Sequence, residues 1–303
     1  MLKPVKKESH KDIVDLWNIC LPDFKLTNRL LEQNSWQSPY VLYEGSAIKE
    51  IDGKIAGVVI AKVWHETHGV SLNKEHGWIQ MLLVHPDYRQ QKIGTELYRY
   101  AEQALLNNGI KKIQLGGDLG HLLCGVPLDQ REGVAFAEKF GFKRVVESVD
   151  FTKTVTVPLL LPEKKNVQFV LLEKEEQQQL IDFMAQSFPG RWTFEAHDYF
   201  AHGGTGRDYV VVKWEGKIVG FCRINDEHSA VKGPNYNWAE QFERLGGIGP
   251  LGVNEDYRKY GLGRAVIEAA EYYLQQRGKD TYFIDWTDLI AFYEKLGYKI
   301  WKD

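Results

Sequence analysis

The sequence predicts two tandem α/β domains, each a mixed β-sheet with helices on both faces. Three observations support this fold class. The chain has 303 residues, apolar runs alternate with amphipathic segments along it, and one set of short motifs occurs twice in the same order. Two ordinary domains of about 150 residues fit such a chain. Each half follows the predicted order β-α-β-β-β-α-β-α-β.

Three pairs of matching segments form the internal repeat. The pairs are 52–57 with 215–220, 84–94 with 253–263, and 135–142 with 291–298. Because the pairs keep their order along the chain, we interpret them as duplicated domains. The predicted organisation is an N-terminal domain at 1–156, a linker at 157–166 and a C-terminal domain at 167–303. Pro158 and Pro162 in the linker disfavour a continuous helix or a central strand.

Each half begins with a short strand, an amphipathic helix and a β-hairpin. The acidic-Gly dipeptides Asp52-Gly53 and Glu215-Gly216 lie between apolar runs, as is typical of hairpin turns. The predicted helices and paired strands are 11–20, Ala47–Ile51 and 54–64 in the first half, and 174–187, Tyr209–Trp214 and Lys217–Asn225 in the second.

A further strand then leads through a turn into a long helix in each half. Apolar residues between Leu262 and Leu274 repeat at the spacing of one buried helix face, and Gly278 ends that helix. Its counterpart runs between Gly94 and Gly109. The other predicted elements are strands at 78–85, 248–253, Lys112–Leu115 and 282–285, then a short helix and a last strand after Gly141 or Gly297.

The two halves differ at their ends. The second half ends at Asp303, soon after its last predicted strand, whereas the first half continues through 149–156, which is enough for another strand. We therefore expect the C-terminal domain either to lack one strand or to borrow one from its neighbour.

Bulk properties exclude several classes of partner. The formal net charge of −3 argues against a general nucleic-acid binder. The longest apolar run, 55–63, is too short to span a bilayer. The three cysteines are scattered and lack the paired spacing of a disulfide framework. We therefore expect a cytoplasmic protein that binds neither nucleic acid nor a membrane.

The turn before each long helix is a candidate anion site. A strand that enters a helix through such a turn presents backbone N–H groups without intrahelical partners, and the helix dipole favours an anion there. Gly261 and Gly263 allow the backbone to approach a phosphate closely, and Arg258 and Lys259 add positive charge. The run meets neither the dinucleotide-binding fingerprint nor the P-loop pattern.

The run Arg-Lys-Tyr-Gly-Leu-Gly at 258–263 resembles the acetyl-CoA pyrophosphate loop of the GNAT acetyltransferases. The preceding Val-x-x-x-Tyr-Arg context and the later Phe-Tyr-Glu-Lys-Leu-Gly-Tyr run at 292–298 also resemble that family. The resemblance covers nearly the whole chain, as two copies. It implies acetyl-CoA as the cofactor and direct transfer of an acetyl group to a primary amine of a small molecule.

The resemblance also implies which residues contact the cofactor. Backbone amides in the turn would hold the pyrophosphate, and the preceding strand would hydrogen-bond the pantetheine arm. The contacts expected in the C-terminal half are Leu251, Gly252, Val253, Arg258, Lys259, Tyr260, Gly261, Leu262, Gly263 and Arg264. Those expected in the N-terminal half are Leu83, Val84, Arg89, Gln90, Gln91, Lys92, Ile93, Gly94 and Thr95.

Tyr293 matches the general acid of the family, which protonates the departing CoA thiolate. The alternative is an aromatic side chain that only packs on a helix face. The first copy departs from the pattern, because Lys92 stands at the position of the loop glycine and Ala137 at that of Tyr293. The first half therefore binds acetyl-CoA as well, uses another acid, or is a degenerate structural copy.

The sequence offers several candidates for the group that removes a proton from the amine. Asp285, at the end of a predicted strand beside Trp286, is the preferred candidate base. A helix N-cap or turn role for Asp285 is an equal alternative. Glu240 and Glu243 on the preceding loop are further candidates.

A glycine-rich loop at 116–127 distinguishes the first half. It either shapes an acceptor pocket, with Asp118 and His121 as polar contacts, or is only a connector. This loop and the run 284–287 resemble those of tandem GNAT proteins that accompany hexosaminidases, which implies an amino-sugar acceptor.

Two alternative functions stay open at the level of sequence. A non-catalytic acyl-CoA sensor or scaffold and a protein-lysine acetyltransferase are the alternatives to a small-molecule enzyme. No metal site is predicted, because His65 and His68 are three residues apart and a zinc-peptidase helix needs four.

Overall fold

The computed structural model of the chain describes residues 1–302, and these divide into two compact units. Unit 1 comprises Met1–Glu66 and Leu72–Arg144. Unit 2 comprises Thr67–Ser71 and the chain from Val145 onward.

Unit 1 contains a five-stranded sheet in the order β1-β2-β3-β4-β5. Its strands are β1 (Leu2–Pro4), β2 (Ala47–Ile51), β3 (Lys54–Val63), β4 (His76–Val84) and β5 (Lys112–Leu115), and its helices are α1 (His10–Cys20), α2 (Asn28–Leu31), α3 (Ile93–Asn107) and α4 (Arg131–Lys139). The strands are antiparallel except for the parallel pair β4 and β5. Leu97, Ala101 and Leu105 repeat every fourth residue along α3 and are buried in one core with Val59 of β3.

Unit 2 contains a seven-stranded sheet in the order β12-β6-β11-β10-β9-β8-β7. Its strands are β6 (Val149–Thr154), β7 (Val167–Leu171), β8 (Tyr209–Trp214), β9 (Lys217–Asn225), β10 (Leu245–Val253), β11 (Thr281–Thr287) and β12 (Lys299–Lys302). Its helices are α5 (Gln177–Ser187), α6 (Arg191–Ala201), α7 (Leu262–Gln276) and α8 (Ile290–Glu294). The pair β10 and β11 is parallel, like β4 and β5 in unit 1.

Strand β6 precedes the linker in sequence but lies in the sheet of unit 2, between β11 and β12. The C-terminal sheet therefore borrows a strand, one of the two outcomes that the sequence left open. Residues 142–148 form no strand after Gly141. Val149 and Phe151 alternate along β6 and enter the core of unit 2, where Phe151 is fully buried. These two side chains are buried because β6 pairs with β11 and β12, which places its apolar face against the core of unit 2.

A buried ion pair ties the borrowed strand to the long helix α7. Lys153 of β6 donates to both carboxylate oxygens of Glu271, at 2.7 and 2.8 Å, and the Tyr298 hydroxyl donates to the same group at 2.8 Å. The Glu271 side chain is 2% exposed. Burial raises the pKa of Glu271, and the two donors offset part of that rise.

The predicted hairpin turns are confirmed. Asp52 and Gly53 have φ values of 48° and 75°, and Glu215 and Gly216 have values of 48° and 82°. Positive φ at both central residues is typical of the type I′ turns that join tight hairpins. Within residues 1–302, no helix combines the length and apolar character that crossing a membrane requires.

Candidate functional site

In each unit the central parallel strands separate before they end. The ladder between β4 and β5 stops at Ile79 and Leu115, and the ladder between β10 and β11 stops at Gly247 and Phe283. Beyond these points, residues 80–84 and 248–253 have no strand partner on the side of the gap. An extended ligand can satisfy such an edge by adding to it like a strand.

The turns at the ends of β4 and β10 have the same backbone geometry. Lys92 and Gly261 each cap the N-terminus of the long helix in the left-handed conformation, with φ values of 64° and 69°. This conformation costs a residue with a side chain roughly 1–2 kcal/mol. The pairing of Lys92 with the loop glycine, predicted from the repeat, is therefore confirmed by the backbone.

The arginine of each loop braces the strand that precedes it. Arg89 Nε donates to the Val84 carbonyl oxygen at 3.3 Å, and Arg258 Nε donates to the Val253 carbonyl oxygen at 3.0 Å. Both bonds span five residues, so the two copies of the motif fold alike. The arginines thus hold the end of the strand in place, and they also carry the positive charge predicted to favour an anion.

A cavity of about 360 Å³ occupies the gap in unit 1. Its lining contains every cofactor contact predicted for the N-terminal half except Gln91. These residues are Leu83, Val84, Arg89, Gln90, Lys92, Ile93, Gly94 and Thr95. Phe136 of α4 also lines it, and its ring lies 3.3 Å from where a β-carbon on Gly94 would sit. The structure therefore brings the predicted residues of unit 1 together around one cavity.

The glycine-rich loop of unit 1 lines the same cavity through Gly116, Leu123 and residues 125–127. Its two predicted polar contacts are buried, with Asp118 at 0% and His121 at 3% exposure. The Asp118 carboxylate pairs with Lys62 at 2.5 Å and accepts a hydrogen bond from Gln80, a cavity residue, at 3.2 Å. Asp118 thus supports the cavity wall through Gln80.

In unit 2, Tyr293 is buried on α8 against Phe151 and Tyr298, and it is 4% exposed. Its hydroxyl forms no hydrogen bond with any residue in the range 1–302. Burial, with smaller effects of Cys222 and Asp285, raises the pKa of this phenol. The group therefore keeps its proton at neutral pH.

The strand β10 bulges between Ile248 and Leu251, opposite β9. Asn235 Nδ2 donates to the Gly249 carbonyl oxygen within this bulge at 2.6 Å. Asn225 Nδ2 in turn donates to Asn235 Oδ1 at 2.9 Å, and both asparagines are buried. This pair of amides was missed by the sequence reasoning, although the Gly-Pro-Asn-Tyr-Asn run at 233–237 signals a structured loop.

Asp285, the candidate base, is half-buried on β11 just beyond the end of the β10 ladder. A second carboxyl group lies beside it, because Asp150 Oδ1 of β6 accepts the N–H of Trp286 at 3.0 Å. Burial and the charge of Asp285 raise the pKa of Asp150 to about 7. Asp150 was missed because its strand was assigned to the N-terminal domain. Glu240 and Glu243 are exposed on the loop before β10.

The predicted diphosphate loop of unit 2 has a further cation. Lys164 Nζ lies 3.7 Å from where a β-carbon on Gly261 would sit. Lys259 lies over the Tyr260 ring at 5.3 Å, and Tyr260 packs on Trp214. From the sequence, Lys164 is predicted to lie in the linker, and no role in the loop is predicted for it.

The remaining predicted contacts of unit 2 differ in their exposure. Leu262 is fully buried, and the exposed Arg264 pairs with Glu268 at 2.7 Å. A side chain on Gly252 would meet the ring of Phe188, so this glycine allows Phe188 to cover the strand. Within residues 1–302, no group of three or more His, Cys, Asp or Glu side chains is arranged to hold a metal ion.

This double arrangement of splayed strands and helix-capping turns belongs to one class of transferase. The Acetyltransferase (GNAT) family model matches residues 10–142 and 177–298, so the chain belongs to the GNAT acetyltransferase family, as two tandem domains. The family and fold predicted from the sequence are confirmed.

Two related proteins are similar in sequence to this chain, over different lengths. A mycothiol acetyltransferase of Thermobispora bispora is 26% identical over 241 residues, which are 73% of this chain and 72% of that protein. An uncharacterized N-acetyltransferase of Chlorobaculum tepidum is 29% identical over 107 residues, which are 32% of this chain and 59% of that protein.

Solved structures share the fold over the whole chain. The glucosamine N-acetyltransferase region of a fungal multi-domain β-N-acetylglucosaminidase has a TM-score of 0.88 and 22% identity, over 100% of this chain and 37% of that one. A tandem GNAT protein from the clavulanic acid pathway has a TM-score of 0.66 and 15% identity, over 99% and 95%. This chain thus spans little more than a third of the fungal protein.

Proposed function

We propose that the protein is an acetyl-CoA-dependent N-acetyltransferase that acetylates a primary amine of a small molecule in unit 2. The observation that carries the proposal is the buried Tyr293 phenol, whose hydroxyl has no partner within residues 1–302. A phenol hydroxyl that keeps its proton and has no protein partner can donate a hydrogen bond to a ligand in the neighbouring gap.

The residues around the gap of unit 2 fit the cofactor. Backbone N–H groups from Tyr260 to Arg264 lie at the start of α7, where the helix dipole favours a diphosphate. Lys164 adds a positive charge beside Gly261. The free edge at 248–253 can pair with the amides of a pantetheine arm. Acetyl-CoA supplies an acetyl group activated as a thioester.

The side chains then account for the proton transfers. The amine nitrogen attacks the thioester carbonyl carbon, a C–N bond forms and the C–S bond breaks. Tyr293 donates its proton to the departing sulfur and becomes a phenolate. The phenolate then takes up the proton that the new amide nitrogen loses. A carboxyl group, for which Asp285 is the candidate, takes the proton that the ammonium form must lose before attack.

Unit 1 holds a second acyl-CoA molecule without turning it over. The cavity of about 360 Å³ supports this part of the proposal, because its lining contains the loop and the strand edge expected to bind the cofactor. Ala137 offers no proton donor at the position that corresponds to Tyr293. In this proposal both units bind acyl-CoA, and only unit 2 catalyses acetyl transfer.

The acceptor is proposed to be an amino sugar or an amine of similar size. The resemblance of the 284–287 run to tandem GNAT proteins that accompany hexosaminidases supports this class. The names of the mycothiol acetyltransferase and of the glucosamine N-acetyltransferase region also support a small amine, at identities of 26% and 22%.

The test is an assay of thiol release from acetyl-CoA against a panel of amines. The panel contains glucosamine, an aminoglycoside and a lysine peptide, and calorimetry measures acetyl-CoA binding in parallel. We expect turnover with glucosamine above that with the peptide. Binding without turnover on any amine would favour an acyl-CoA sensor, and preference for the peptide would favour a protein-lysine acetyltransferase.

A further inference from the structure

A tryptophan lies at the end of β11, just beyond the point where β10 and β11 separate. The ladder between these strands stops at Gly247 and Phe283, and Trp286 lies three residues further along β11. The ladder between β6 and β11 also skips from Ile284 to Thr287, and Trp286 lies in the skipped stretch. Trp286 therefore leaves the regular sheet where the gap of unit 2 opens.

The backbone of Trp286 has an unusual conformation. Its φ of 45° lies in the left-handed region, which disfavours a residue with a β-carbon. The Asp150 carboxylate accepts the N–H of Trp286 at 3.0 Å and so helps to hold this conformation. Such backbone strain persists where the surrounding structure fixes it, and it is concentrated at ligand sites. The conformation turns the indole out of the regular alternation of side chains along β11.

The indole of Trp286 is supported by a charged side chain of α6. The Arg191 guanidinium lies over the ring, 5.1 Å from its centroid, and a cation in this position is attracted to the ring face. Arg191 Nε in turn donates to Glu195 at 2.7 Å, one turn along the helix. Trp286 is still 37% exposed. Arg191 thus steadies an aromatic ring that keeps more than a third of its surface open.

The first turn of α6 connects this indole to the other side of the gap. Trp192, the residue after Arg191, packs on Phe188 with 5.3 Å between the ring centroids. The Phe188 ring covers Gly252 of β10, where a β-carbon would lie 2.6 Å from it. Aromatic rings therefore lie beside both strands that border the gap, Phe188 at β10 and Trp286 at β11. Sites for small molecules are typically lined by aromatic side chains.

The equivalent place in unit 1 holds a different kind of residue. Asp118 lies three residues beyond Leu115, where the ladder of β4 and β5 stops, and it is fully buried against Lys62. The exposed ring thus occurs in the unit to which acetyl transfer is assigned under the proposed function. Since acyl-CoA binding is proposed for both units, this difference favours a role of Trp286 towards the acceptor.

We propose that the Trp286 indole is the platform on which one face of the acceptor's sugar ring packs, so that this residue selects amines that carry a ring. The inference rests on the proposed function and names a residue of its acceptor site. A pyranose presents a face of C–H groups, and an indole offers a large, rigid apolar surface that can cover it. The sugar hydroxyl groups at the rim stay available to water and polar groups. An amine without a ring gains nothing from this contact.

The experiment compares Trp286→Ala and the conservative Trp286→Phe with the control Ile300→Ala, which removes another exposed apolar side chain of unit 2. Steady-state kinetics are measured with glucosamine and with ethanolamine, an amine without a ring. Calorimetry measures acetyl-CoA binding to each intact protein and glucosamine binding to the CoA-saturated protein. Thermal melting verifies that each variant is folded.

We expect Trp286→Ala to raise the KM for glucosamine about tenfold with kcat retained, because the packing contact is the same before and during acetyl transfer. Acetyl-CoA affinity should not change. Trp286→Phe should restore most of the glucosamine affinity, since it keeps an aromatic face. Ethanolamine should be a poor substrate of the wild type, and Trp286→Ala should use it equally poorly. Ile300→Ala should match the wild type.

The inference and the proposed function can fail separately. If glucosamine is acetylated and Trp286→Ala matches Ile300→Ala, or changes only kcat or acetyl-CoA affinity, the inference is overturned and the function stands. Ethanolamine used by the wild type as well as glucosamine has the same consequence.

If glucosamine is not acetylated, its binding to the CoA-saturated protein decides the inference, and the amine panel decides the function. Binding that Trp286→Ala weakens about tenfold or more, and that Ile300→Ala leaves intact, supports the platform. No glucosamine binding, or equal binding by the two variants, overturns it.

Discussion

The side-chain amide of Asn235 donates a hydrogen bond to the carbonyl oxygen of Gly249 across 2.6 Å. Both groups are buried, and Gly249 lies in the bulge that separates β10 from a regular strand. A β-carbon on Gly247 would collide with Asn235, so this glycine makes room for the amide. The shape of the strand edge proposed to bind acetyl-CoA thus depends on a side chain from the preceding loop.

Replacing Asn235 by Asp should loosen the bulge without changing its volume. The carboxylate can still accept from Asn225, but it cannot donate to Gly249. We expect the free energy of unfolding to fall by more than about 1–3 kcal/mol, the cost of an unsatisfied buried acceptor, because the substitution also buries a carboxyl group against the Gly249 carbonyl oxygen. We expect kcat to fall while acetyl-CoA affinity is retained. Denaturant titration and steady-state kinetics measure both effects. An unchanged kcat would remove Asn235 from the positioning of the thioester.

Replacing Tyr293 by Phe should remove the proton donor to the sulfur. We expect kcat to fall about 10²- to 10⁴-fold, the usual contribution of a general acid, with acetyl-CoA binding intact. Tyr272→Phe on α7 is the matched control and should keep full turnover. Because the pKa of Tyr293 is raised, the protonated form persists to higher pH, so wild-type kcat should show no basic limb from this group below its ordinary pKa. Full activity of Tyr293→Phe would refute the assignment.

The repeat alone predicted that the two long helices begin in equivalent turns. Matching motifs placed Lys92 and Gly261 in equivalent turns, and both residues have the left-handed backbone. That conformation is a local property, so spacing along the sequence reveals it. Asp150 and Asn235 could not be found in this way. The position of Asp150 depends on a strand that pairs across 127 to 138 positions of sequence, as Phe151 does with Ile284. The position of Asn235 depends on a loop that folds under a bulge.

The ion pair between Lys153 and Glu271 should hold the borrowed strand in place. Lys153→Met leaves the Glu271 carboxylate buried with only the Tyr298 hydroxyl as a donor, and breaking a buried pair costs about 3–5 kcal/mol. We expect a loss near the lower end, since Lys153 keeps 19% of its side chain exposed.

The pH dependence of this loss has a definite sign. The pKa of Glu271 is already raised by burial and rises further without Lys153, so the folded variant binds a proton that the unfolded chain has lost. Stability is then gained as the pH falls through the folded pKa towards the unfolded one. Thermal melting at pH 7.5 and pH 5 should show the smaller deficit at pH 5. A deficit that grows on acidification would contradict this account of Glu271.

The cavity of unit 1 should bind its own acyl-CoA molecule. Lys92→Glu places a negative charge at the start of α3, where a diphosphate is expected, and should reduce the calorimetric stoichiometry from two to one. Lys54→Glu on the exposed start of β3 is the control for the same change in net charge and should leave both sites. A stoichiometry of one in the wild type would assign the cavity another role.

The most direct test of the central claim is a crystal structure of the protein with acetyl-CoA bound. The account predicts the diphosphate on the backbone N–H groups from Tyr260 to Arg264, the pantetheine arm along residues 248–253, and the sulfur within hydrogen-bond reach of the Tyr293 hydroxyl. Density for the nucleotide away from this turn of unit 2, or a thioester remote from Tyr293, would contradict it.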